Sequence, residues 1–67
     1  MREEILNKKI AQTKEEIETA NIMVEFLRWM AEGEADKEKA ATYNVKADQM
    51  EVSKKINEKF IEFTETL

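Results

Sequence analysis

The chain has 67 residues, enough for one small domain spanning 1–67, and a domain of that size buries only about 60% of the surface its unfolded chain exposes, so it needs a staple. It contains no cysteine and no histidine, which excludes disulfides, thiolate metal sites, the commonest metal ligand and the usual general base near neutral pH; oligomerisation is the staple that remains. The net charge of −4 lacks the basic excess on which nonspecific nucleic-acid binding rests.

Proline is absent, glycine occurs once, and hydrophobic and charged residues make up 42% and 39% of the chain, a mixture that fits long amphipathic helices rather than a turn-rich fold. In the first half, Leu6, Ile10, Thr13, Ile17, Ala20, Val24, Leu27 and Ala31 follow one another at alternating steps of four and three. That is the seam one helix presents to another, and it predicts a first helix over about residues 2–32, opened by Glu3 and Glu4 at its positive end.

The periodicity breaks at residues 32–36. Gly33 is expected to end the helix in the left-handed conformation, and Asp36 to cap a second helix over about residues 36–66, with Glu38 in its first turn. The second helix offers the apolar series Val45, Val52, Ile56, Phe60, Phe63 and Leu67, with Gln49 as its polar member. Continuing the first heptad through the break would put Asp48 and Lys55 in the seam, so a folded-back hairpin is expected rather than one continuous helix. The expected hairpin core is Leu6, Ile10, Ile17, Val24 and Leu27 against Val45, Val52, Ile56, Phe60 and Phe63. Val24 should lie near Val45, Ile17 near Val52, and Ile10 near Ile56 and Phe60.

A second apolar set lies off that stripe. Ile22, Met23, Phe26, Trp29 and Met30 gather on a different side of the first helix, leaving Asn21, Glu25, Arg28 and Glu32 as a polar strip whose charges can pair across a turn. Ala40, Tyr43, Ala47 and Met50 form a matching stripe on the second helix, which Ile61 extends. A helix apolar on two sides is normally sandwiched between neighbours, and a hairpin supplies only one. Ile22, Met23, Phe26, Trp29, Met30, Tyr43, Ala47 and Met50 are therefore the expected interface, either with further copies of the chain, as a dimer or larger bundle, or with a different protein.

Chemistry finds little support. Glu15, Glu16 and Glu18 do not share one side of a helix, no Glu-x-x-His pair exists, and the acidic segment 32–38 lacks the spacing of a Ca²⁺ loop, so no metal, cofactor or catalytic residue is expected. With one glycine there is no phosphate loop, and Lys8, Lys9, Lys14, Lys54, Lys55 and Lys59 do not align into one basic stripe. No stretch reads as a signal peptide or a membrane span, so a cytoplasmic protein is expected. The expected function is that of a small non-enzymatic interaction protein of adaptor, antirepressor or inhibitor type, acting as an associated helical bundle. The alternative is an oligomer holding a nucleotide or RNA phosphate between subunits.

Overall fold

The computed structural model describes residues 2–67. Two helices, α1 (Arg2–Gly33) and α2 (Lys37–Glu65), fold back on each other as an all-α hairpin 52 Å long and 15 by 12 Å across. The connection is three residues, two of which, Glu34 and Asp36, are held by hydrogen bonds. The Glu34 amide donates to the Ala31 carbonyl at 3.4 Å, closing the last turn of α1. The Asp36 amide donates to the Glu34 carboxylate at 3.2 Å. Asp36 is extended and its carboxylate accepts from the Glu38 and Lys39 amides at 2.9 and 3.4 Å, so the expected N-cap is in place.

Gly33 departs from expectation. Its φ is not positive; it is the last residue of α1, and a Cβ built on it would meet nothing within 4 Å. The chain reverses through residues 34–36, with the bend at Ala35 and Asp36 extended, instead of through a left-handed glycine.

α1 turns inward the stripe its spacing predicts. Thr13, Ala20 and Leu27 are buried, and Leu6, Ile10, Ile17, Val24 and Ala31 are half-buried. The Thr13 hydroxyl donates to the Lys9 carbonyl at 2.7 Å, satisfying itself inside its own helix, so a polar side chain in the seam leaves no orphaned group.

α2 uses a different face from the one its apolar content suggests. Ala47 is fully buried, and Ala40, Tyr43, Met50, Lys54, Asn57, Ile61 and Thr64 are half-buried. These eight residues step by three and four along the whole helix, an unbroken heptad seam in which most members are small or polar. The expected core residues Val45, Val52, Ile56 and Phe63 lie outside it, more than half exposed, while Phe60 is half-buried at its edge. Val45, Val52 and Ile56, expected against Val24, Ile17 and Ile10, are thus turned largely to solvent instead of into the seam, and Gln49 is exposed.

Cross-helix polar ties account for the choice of face. Arg28 donates to the Asn44 side-chain oxygen at 3.0 Å, to Asp48 at 2.6 Å and to Glu51 at 3.4 Å. Lys54 donates to Asn21 at 3.0 Å. Moving back along α1 from Arg28 to Asn21 moves forward along α2, which fixes the antiparallel register. With Val45 turned inward, Asn44, Asp48 and Glu51 would rotate away from Arg28. Ala47 in the seam also lets the helices approach closely where a larger side chain would hold them apart.

Candidate interaction surface

The inward rotation of α2 divides the expected interface. On α1, Ile22, Met23, Phe26 and Trp29 are exposed and Met30 is half-buried, as a surface set apart from the seam requires. The i, i+3 spacing of Phe26 and Trp29 places their rings one above the other, centroids 5.9 Å apart and planes 30° from parallel. A shallow hollow of about 220 Å³ at the turn end of the hairpin is lined by Trp29, Met30 and Gly33, with Glu34 on one side and Tyr43 reaching across from α2. Trp29, Met30 and Tyr43 are thus brought together. Ala47 and Met50 are not part of this patch: Ala47 is sealed against α1, and Met50 sits half-buried in the seam.

The second exposed surface is one that sequence reasoning assigned to the core. Val45, Val52, Ile56 and Phe63 are 54%, 59%, 65% and 61% exposed. At about 100° per residue they lie roughly opposite the α2 seam, so they form a stripe along the outer side of the helix. The signal that identifies them is the eight-residue series 40, 43, 47, 50, 54, 57, 61 and 64, which claims the inward face once Lys54 and Asn57 are admitted as seam positions.

Between these surfaces, one flank of the hairpin is polar. The expected pairings of Arg28 with Glu25 and Glu32 give way to the bonds across to α2. The hydrogen bond to Asp48, followed by that to Glu51 and the nearby charge of both, holds the guanidinium above its already high ordinary range; desolvation opposes this. The ion is a permanent clamp, not a titrating switch, since Arg stays charged at any physiological pH.

A groove of about 460 Å³ between the helices is lined by Glu15, Glu16, Ala20, Met50, Ser53 and Lys54, among others. Its one cation, Lys54, shares the groove with Glu15 and Glu16, donates to Asn21 and lies 4.0 Å from the Glu58 carboxylate. No helix among the described residues is long and apolar enough to cross a membrane.

No protein family, curated protein or solved structure matches this chain. The reading of function therefore rests on the surfaces themselves.

Proposed function

We propose that this chain is a small non-enzymatic interaction protein, an adaptor or inhibitor working as an associated helical bundle that covers a partner protein's surface. The observation that carries the reading is the exposed Phe26–Trp29 stack with Ile22 and Met23 beside it. Trp, Phe and Met are enriched in the cores of protein interfaces because they bring large, adaptable area at modest entropic cost. The patch is short and aromatic, the form of a local anchor rather than of a helix-length seam. The lack of histidine and cysteine supports the non-enzymatic part of the reading and fits a reducing compartment such as the cytoplasm.

A nucleotide or RNA phosphate held between subunits has less support, since the groove that contains Lys54 is also lined by Glu15 and Glu16 and Lys54 already lies near Glu58. The two readings separate in one experiment. Partner protein captured by the native chain should be lost with Phe26→Ala/Trp29→Ala while the fold is retained. A panel of nucleotides should leave the thermal midpoint unmoved, whereas a ligand at a hundred times its dissociation constant would add about 2.7 kcal/mol. Partner capture indifferent to the double substitution would contradict the patch as the anchor.

A further inference from the structure

The inward face of α2 is the poorer of its two faces, and the better one is turned out. Ala40, Ala47, Lys54, Asn57 and Thr64 point toward α1, while Val45, Val52, Ile56 and Phe63 face away. These four step by seven, four and seven along one side of the helix, with the exposed Gln49 and Lys59 at the intervening heptad positions, and β-branched residues such as Val45, Val52 and Ile56 are favoured in helix seams. This one has no neighbour within the hairpin.

The area left over is what a second chain would cover. The hairpin exposes 5681 Å², whereas a monomer of 7.9 kDa folded to ordinary compactness exposes about 4,400 Å². The excess is about 1,300 Å². Standard interfaces bury about 800 Å² per partner, and obligate dimers 1,000 Å² or more. One interface of dimer size would bring the chain to the exposure of a normal folded protein.

The borders of the stripe indicate which chain that is. Asp48, Lys55 and Glu62 form a row at intervals of seven along one edge. The opposite edge carries Lys46, Ser53 and Phe60, which offer Lys55 no acid in a parallel pairing. Run antiparallel, the row meets its own copy, and an offset of one heptad sets Lys55 against Glu62 twice over. The same alignment puts Val52 near Phe63 and brings Ile56 close to the two-fold axis. Over residues 50–67 the outer stripe is therefore complementary to its own copy at Lys55–Glu62 and Val52–Phe63, with Lys59 at the two-fold axis and Val45 and Asp48 outside the overlap.

We propose that the outer face of α2 is the contact between two copies of this chain, packed antiparallel, leaving the Phe26–Trp29 patch of α1 free for the foreign partner. This rests on the associated bundle of the proposed function and assigns its surface. The test is sedimentation equilibrium at micromolar concentration on the full chain and three variants. The native protein should sediment at twice 7.9 kDa. Ile56→Glu places an unpaired carboxylate in the contact and should raise the dissociation constant at least roughly 100-fold. Lys55→Glu, at the exposed rim, should weaken the dimer several-fold, and Lys55→Glu/Glu62→Lys should restore it even if Ile56→Glu proves unable to fold. Phe26→Ala should remain dimeric. A native monomer with full helicity would overturn the inference. So would a dimer that survives Ile56→Glu and both rim variants, or one that Phe26→Ala dissolves and the α2 variants do not. That last outcome leaves the interaction reading standing with its surfaces exchanged.

Discussion

Ala47 is completely buried against α1, while Val52, five residues further along the same helix, is 59% exposed. Five residues turn the helix by about 140°, so the two side chains point to nearly opposite sides. The smaller residue lies inside and the larger outside. This inversion is the main physical fact about the hairpin, and both its packing and its proposed association follow from it.

Enlarging the inner residue should therefore be costly. Ala47→Leu has no space to occupy and must push the helices apart, with an expected loss of about 1–3 kcal/mol by chemical denaturation. Ala11→Leu, at an exposed position of α1, should change stability by about 0.5 kcal/mol or less. Equal effects at the two sites would mean that Ala47 is not at the close approach.

The turn makes a prediction of opposite sign to the one a left-handed glycine would make. Gly33 is helical with open space around it, so Gly33→Ala should stabilise by about 0.4–1 kcal/mol, chiefly by restricting the unfolded chain. Asp36→Ala removes the acceptor for two amides at the start of α2 and should cost about 1 kcal/mol. Thermal melts of both variants check the signs; a lower midpoint for Gly33→Ala would show a conformation at residue 33 that alanine cannot adopt.

Much of this hairpin was legible in the sequence, and the part that was not has an identifiable cause. The α1 stripe from Leu6 to Ala31 is regular, and its members Thr13, Ala20 and Leu27 are the buried ones. Asp36 as N-cap was readable because its carboxylate needs nothing but the helix that follows. The α2 seam was not, because ranking faces by apolar content favours Val45, Val52, Ile56 and Phe63 over Ala40, Ala47, Lys54 and Asn57. That ranking leaves out close approach at alanine and the demand of Arg28 for Asn44, Asp48 and Glu51, both properties of the pair of helices and not of either one. The aromatic patch on α1 was legible as surplus surface, but its separation from Ala47 and Met50 depended on knowing which way α2 faces.

Trp29 is the single tryptophan and reports directly on the α1 patch. Its side chain is two-thirds exposed, at 67%, and the proposed dimer leaves it so. Emission of the purified protein should be red-shifted and readily quenched by acrylamide, and should shift to the blue when a partner protein binds. Blue-shifted, protected emission in the protein alone would place the patch in the contact between copies.

The most direct measurement is the distance between copies at one labelled position per chain. With no native cysteine, Ser53→Cys and Thr19→Cys each give a single spin-label site, on α2 and α1 respectively. Both positions are exposed in the hairpin. Two α2 helices in contact lie about 8–10 Å apart and the α1 helices outside them about three times as far; with Lys55 opposite Glu62 the two Ser53 sites are also offset by about 16 Å along the helices, which sets them roughly 19 Å apart. The account predicts a short interspin distance at Ser53 and a clearly longer one at Thr19; the reverse order, or the absence of any interchain distance at either site, would contradict it.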